Sequence, residues 1–248
     1  MSRGRRFFST RYRIHFEIMK VIGLIGGMSW ESTAPYYRII NQEIRRRLGG
    51  LHSARCVLWS FDFAEIEELQ HGGNWERLTE RMIEAGSALE KAGADFLVIC
   101  TNTMHITAEK LQAAVAAPLL HIADATADAI RAAGLKKVGL LGTRFTMERD
   151  FYAGRLRDHC GIETVIPDET DRRIVHDVIY RELCVGRATA ASRDQYRTII
   201  QRLVDEGAQG IVLGCTEIGL LVKAEDCPAP LFDTATIHAE AAAAHALD

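Results

Sequence analysis

The chain has 248 residues, 48% of them hydrophobic and 25% charged, with a formal net charge of −3 at pH 7. That length accommodates one large α/β unit or two domains of about 100–120 residues, either with a sizeable core. No basic stripe runs through its body, which argues against a nucleic-acid partner, and no apolar run reaches the roughly 18–20 residues that span a bilayer.

Residues 1–18 are Arg-rich and lack a long apolar core, and a strand-and-glycine pattern begins only at Met19. They read as a disordered extension or the product of an upstream start codon, with an organelle-targeting peptide as the alternative, and stand outside the fold. From Met19 onward short apolar runs alternate with longer helical patterns, the signature of parallel strands joined by crossover helices. Strands are predicted over residues 21–25, 56–60, 96–100, 119–122, 138–141, 164–166, 210–213 and 231–232. Amphipathic helices are predicted over 80–92, 124–133 and 193–206, with Gly93, Gly134 and Gly207 at their C-caps. After the first strand comes Gly26-Gly27-Met28-Ser29-Trp30, then a helix capped near Ser32 or Thr33 with Pro35 in its first turn. The paired glycines either let backbone N–H groups approach an anion or make a tight strand-to-helix turn. Their spacing is not the dinucleotide-binding G-x-G-x-x-G, which disfavours a nicotinamide-dependent enzyme.

The chain also repeats itself. Ile22-Gly-Leu-Ile-Gly26 matches Val138-Gly-Leu-Leu-Gly142, and the run from Gly93 to Thr101 matches that from Gly207 to Cys215. Ala117-Pro-Leu-Leu120 matches Ala229-Pro-Leu-Phe232, again in the same order. Two similar open parallel-sheet α/β domains related by pseudo-two-fold symmetry are therefore expected, with the active site in the cleft between them. Residues 19–118 plus 230–248 would form the first domain and 119–229 the second. Ligands of such sheets bind beyond the carboxyl ends of the strands. The repeat places Thr101 and Cys215 at equivalent ends, facing one site from opposite sides.

Two motifs sit at these ends: Cys100-Thr101-Asn102-Thr103-Met104-His105 and Gly214-Cys215-Thr216-Glu217-Ile218. Small hydroxyl, thiol and amide groups at a strand-to-helix junction suit a substrate carboxylate, although N-capping explains Asn and Thr in either motif taken alone. Cys100 rivals Thr101 as the reactive residue. Strand neighbours point to opposite faces, and the repeat register selects Thr101. The six cysteines (56, 100, 160, 184, 215 and 227) form no C-x-x-C pair and the histidines no zinc spacing. Reduced thiols in a cytoplasmic protein, and no metal, are the reading.

On these residues the chain resembles the aspartate/glutamate racemase family, in particular its broad-specificity or L-aspartate/glutamate-specific amino-acid racemase subgroup, continuously from Met19 to the C-terminus. Most members carry cysteine at both reactive places; Thr101 is a departure shared by that subgroup. The resemblance implies racemisation without pyridoxal or any other cofactor, on glutamate, aspartate or a small polar amino acid, by a homodimer. It further implies that Asn102, Thr103 and Thr216 hold the α-carboxylate and amino group, that Met28 and Ser29 line the site, and that Gln70 contacts substrate. A basic residue in the second half is also typical, with Arg172 or Arg173 as candidates.

A threonine hydroxyl is a far poorer base than a thiolate, so Cys215 should be the main base, acting on the L form by the resemblance, with Thr101 as the opposing acid/base. The equilibrium constant of racemisation is one, so a weak Thr101 must slow both directions alike. The alternatives are a hydantoin racemase or maleate isomerase of the wider superfamily, and a two-lobed amino-acid or dicarboxylate binding protein without turnover.

Overall fold

The computed structural model describes residues 19–248; the extension assigned to residues 1–18 lies outside them. Strands β1 (Ile22–Gly26), β2 (Cys56–Ser60), β3 (Phe96–Ile99) and β4 (Leu119–Leu120) form one sheet in the order β2-β1-β3-β4. Strands β5 (Lys137–Gly142), β6 (Glu163–Val165), β7 (Ile211–Gly214) and β8 (Leu231–Asp233) form a second in the order β6-β5-β7-β8. Every pairing is parallel. The same order twice is the expected duplicated α/β architecture.

The helices are α1 (Trp30–Leu48), α2 (Phe63–His71), α3 (Trp75–Lys91), α4 (Ala108–Ala114) and α5 (Ile122–Ala132) in the first half of the chain. They continue as α6 (Arg144–Glu148), α7 (Asp150–Cys160), α8 (Glu169–Arg181), α9 (Ala190–Asp205), α10 (Ile218–Leu221) and α11 (Thr234–His245). None of them is long and apolar enough to cross a membrane. Gly93, Gly134 and Gly207 follow α3, α5 and α9 with φ of 89°, 72° and 94°, the left-handed conformation that a helix stop requires.

Strand periodicity divides each sheet between two cores. Ile22, Leu24, Phe96 and Val98 face α1 and the alanines of α11, whereas Ile25, Leu97 and Ile99 face α3 and α4. In the second sheet Val138, Leu140 and Val212 face α5 and α7, whereas Leu141, Ile211 and Leu213 face α8 and α9.

Three expectations change. The sheet seams move by one strand each: β4 pairs with β3, so 119–120 belong to the first sheet, and β8 pairs with β7, so 231–233 belong to the second. The strand expected over 119–122 stops at Leu120 because His121 accepts the Ala123 N–H and caps α5. Helix α1 starts at Trp30, ahead of the expected cap, with Ser29 at the N-cap position. Thr33 Oγ1 takes the Gly27 N–H at 2.9 Å and donates to the Ser29 carbonyl at 2.9 Å. A Cβ on Gly27 would lie 2.3 Å from the Phe61 carbonyl. The glycine pair is therefore a tight turn against a neighbouring loop, its N–H already satisfied, rather than an anion cradle.

A cluster of buried histidines, packed edge to face, joins the C-terminal helix to the motif after β3. His105 lies with its ring centroid 4.5 Å from His121 and 5.8 Å from His238. The His238 Nε2–H donates to the Leu120 carbonyl at 2.9 Å, which leaves Nδ1 to accept from Tyr36, also at 2.9 Å. Burial pushes His238 down to about 4, burial and Arg155 push His121 down to about 2, and burial takes His105 well below its usual range. These rings fold neutral, whereas unfolded histidines titrate near about 6.5. Between pH 6.5 and 4 the unfolded chain thus binds protons that the native chain excludes, and each excluded proton lowers stability by up to about 1.4 kcal/mol per pH unit. The melting temperature should fall steadily below pH 6.5. In His121→Asn, which keeps a capping acceptor, the fall between pH 6.5 and 5 should be shallower when followed by calorimetry.

Candidate active site

Beyond the carboxyl ends of β1, β3, β5 and β7 lies a small, partly enclosed cavity lined by both halves of the chain. Thr101 and Cys215 both line it and are 8% and 7% exposed. Each continues the alternation of the strand before it: Cys215 packs with Ile211 and Leu213, and Thr101 follows Leu97 and Ile99 in phase. Cys100 points to the other face, into the core with Phe96 and Val98, and burial pushes its thiol up. The loop after β3 is held by His105, whose Nδ1–H donates to the Thr101 carbonyl at 2.8 Å while Nε2 accepts the Ile122 N–H at 3.2 Å.

The acidic side chain that lines the cavity is Glu217, only 2% exposed. Its carboxylate accepts from Ser29 Oγ at 2.8 Å, Thr216 Oγ1 at 2.8 Å, Cys215 Sγ at 3.1 Å and Cys184 Sγ at 3.8 Å. All four donors are neutral, and none is a lysine or arginine. Burial, then the Glu217 charge and then Cys184 push the Cys215 thiol well above its ordinary range, against a smaller opposing pull from the Glu217 backbone N–H. Burial and the neighbouring Glu217 thus both favour the protonated thiol of Cys215 over its thiolate.

Asn102 supplies a second acceptor. Its Nδ2 donates to Thr234 Oγ1 at 2.9 Å, because Thr234 spends its own proton on the Leu213 carbonyl. That fixes the amide orientation and leaves the buried Oδ1 with no partner among the described residues. Thr103 Oγ1 lies 3.0 Å from Thr143 Oγ1, and Tyr180 OH donates to Gln70 Oε1 at 3.0 Å. Phe63 stacks on Tyr180 with ring centroids 6.5 Å apart. Together with Ser29–Glu217, these contacts tie one half to the other around the cavity.

Of the residues singled out in the sequence, Met28, Gln70, Thr101, Asn102, Thr103 and Cys215 line the cavity. Ser29 and Thr216 stand behind it, with their hydroxyls spent on Glu217. Arg172 pairs with Glu148 and the Pro167 carbonyl, and Arg173 pairs with Glu169, so neither basic candidate lines the site. The structure adds Glu217, Thr143, Phe63, Ile179, Tyr180 and Cys184. The internal repeat already held two of these, because the offset that relates Thr101 to Cys215 relates Thr103 to Glu217, and the one that relates Gly26 to Gly142 relates Gly27 to Thr143. Ile179, Tyr180 and Cys184 lie at the end of α8 and just beyond it, where no motif marks them.

Comparison with known proteins agrees with this geometry. The family model described as Asp/Glu/hydantoin racemase matches residues 25–242. The broad specificity amino-acid racemase RacX of Bacillus subtilis is 23% identical over 222 residues, covering 86% of this chain and 92% of that protein. The crystal structure of an aspartate racemase homologue from Pyrococcus horikoshii superposes with a TM-score of 0.78 at 34% identity, covering 93% of this chain and all of that one. A Yersinia pestis structure carrying a provisional Asp/Glu racemase assignment gives a TM-score of 0.86 at 56% identity, with 93% of this chain and all of that one covered.

Since Glu217 helps to hold the Cys215 proton in place, Glu217→Gln should lower the pH at which that thiol ionises. Thiolate absorbance near the ultraviolet, taken as the difference from the same background carrying Cys215→Ala, would report it. An unchanged or raised titration midpoint would contradict the assignment.

Proposed function

The chain belongs to the Asp/Glu/hydantoin racemase family, and on that premise we propose that it inverts the α-carbon of an amino acid by proton transfer on two faces, without pyridoxal. The observation that carries this reading is that Thr101 and Cys215, from equivalent strand ends of a duplicated fold, line one cavity. The substrate enters as a zwitterion. Its ammonium group supplies the cation that Glu217 lacks and a donor for the orphaned Asn102 Oδ1. The α-carboxylate accepts from Thr103, Thr143 and the backbone N–H groups after β3 and β7.

Glu217 and Cys215 share one proton and one negative charge. Transfer of the thiol proton to the carboxylate at 3.1 Å leaves a thiolate without changing the charge of the cavity. The thiolate takes the Cα proton from one face and becomes a thiol again. The carbanion, its charge spread into the α-carboxylate, takes a proton from the Thr101 hydroxyl on the other face. The proton stored on Glu217 then returns to Thr101 through water, and the cycle closes. In the reverse direction the Thr101 alkoxide is formed first, which is costly. Because the equilibrium constant is one, that cost limits both directions by the same factor, at about 1.4 kcal/mol for each tenfold.

Incubation with L- and D-amino acids in D2O, followed by loss of the Cα–H signal, tests this. Wild type should exchange at least one enantiomer and interconvert the pair. Cys215→Ala should lose exchange by at least about 100-fold, the scale of a missing acid/base group. Thr101→Ala should keep washout from the face served by Cys215 while losing inversion. Binding without any exchange in the wild type would leave a non-turning-over binding protein as the better description.

A further inference from the structure

Resting on that reading, we propose that His105 is the positioning residue for Thr101. It holds the backbone that aims the Thr101 hydroxyl, and so governs whether α-proton exchange ends in inversion. Thr101 stands apart from the other buried threonines. Among the described residues each of the others, from Thr33 in α1 to Thr234 in α11, has its hydroxyl in a hydrogen bond. Thr101 lines the cavity, and its hydrogen bond is made by the backbone carbonyl, not by Oγ1. A free hydroxyl suits a group that must give a proton to a carbanion and take one back. Nothing but its own backbone then aims it. Threonine is stiff at χ1, so the peptide planes beside it largely set where Oγ1 points.

The plane after Thr101 is held by one contact. Among the described residues no backbone N–H reaches the Thr101 carbonyl, which accepts from the His105 Nδ1–H at 2.8 Å. The ring is anchored in turn. Its Nε2 accepts the N–H of Ile122, the first residue of α5, at 3.2 Å, and the rings of His121 and His238 wall it in. Only a neutral ring in the Nδ1–H tautomer makes both bonds, and burial, then His121 and His238, keep it neutral. Because β3 and β4 are neighbours in the sheet, the link ties the loop that carries Thr101 to the helix after the next strand. A reacting group misplaced by about 1 Å can lose about 100-fold in rate, so loosening this post falls on the Thr101 step. Removal of the Cα proton by Cys215, set by Glu217, does not pass through it.

The test compares two variants that each keep one of the two bonds. The amide of His105→Asn takes the place of Nδ1 and can still donate to the Thr101 carbonyl. That of His105→Gln reaches the place of Nε2 and can accept from Ile122 alone. The readout is the ratio of inversion to Cα–H washout from the Cys215 face, with an amino acid that exchanges in D2O. It should stay within about threefold of wild type in His105→Asn and fall by about tenfold or more in His105→Gln. A residue that only stabilised the fold would lower both melting temperatures and move neither ratio. Equal ratios in the two variants, both unmoved or both reduced, overturn the proposal. A measurement on wild type stands in for a variant that does not fold. Nitrogen NMR of the assigned imidazoles should show Nδ1–H at His105, against Nε2–H at His121 and His238, and Nε2–H at His105 would overturn it as well. Wild type that exchanges no amino acid is a different result, since it removes the racemase reading itself and this inference with it.

Discussion

Glu217 is a carboxyl group taken out of water with no lysine or arginine among its hydrogen-bond partners in the described residues, and much of the site is arranged around that fact. An ion so buried costs several kcal/mol unless its oxygens are satisfied. Here the compensation comes from hydroxyls and thiols, and hydrogen bonds to a charged group contribute about 1.5–3 kcal/mol each. Ser29 reaches Glu217 from the first half of the chain while Thr216 and Cys215 reach it from the second. The carboxylate thus fixes the approach of the two lobes as well as the protonation of the reactive thiol. It also leaves an electrostatic vacancy of one sign, suited to an ammonium group.

The two-lobed plan explains why reactive groups oppose each other. A parallel strand alternates its faces, so residues one or two positions past the strand end are aimed by the same periodicity that sorts the core. Thr101 and Cys215 inherit their direction from Ile99 and Leu213. Where the first half has Cys100, the second has Gly214, and a Cβ there would lie 2.8 Å from the Leu141 carbonyl on the neighbouring strand. Duplication supplied the geometry, and local packing then made the two ends unlike.

Most of this architecture was legible because it repeats. Eight strands and the Thr101–Cys215 pair follow from hydrophobic runs and three offset matches. What the sequence hid has a physical character in common. Ser29 and Thr216 are small polar residues of the type that bind ligands, cap helices or satisfy a buried charge, and only the position of Glu217 decides among these. Tyr180 and Cys184 reach the cavity because of how α8 ends and packs, a tertiary matter with no local signature. The start of α1 was misplaced because Thr33 acts from inside the helix, taking the Gly27 N–H and donating back to Ser29. The sheet seams were misplaced because strands β4 and β8 complete the sheet before them, while the helices that follow them cross to other packing.

A hydroxyl opposite a thiol looks like a handicap until the charge of the cavity is counted. In the proposed mechanism Glu217 and Cys215 carry one negative charge between them wherever their shared proton sits, and the substrate α-carboxylate brings another. A second cysteine at position 101 would have to ionise in the same space to work as a base. At a separation of about 5 Å and an effective dielectric constant of about 20, each further like charge costs roughly 3 kcal/mol. Thr101 avoids that term in the resting and substrate-bound states, where its hydroxyl stays neutral, and meets it only transiently as it passes its proton on. On the proposed reading the hydroxyl is slower at chemistry, yet it lets one buried carboxylate and one bound zwitterion coexist without a lysine or arginine lining the cavity among the described residues. The threonine and the cation-free cavity are therefore two sides of the same electrostatic solution.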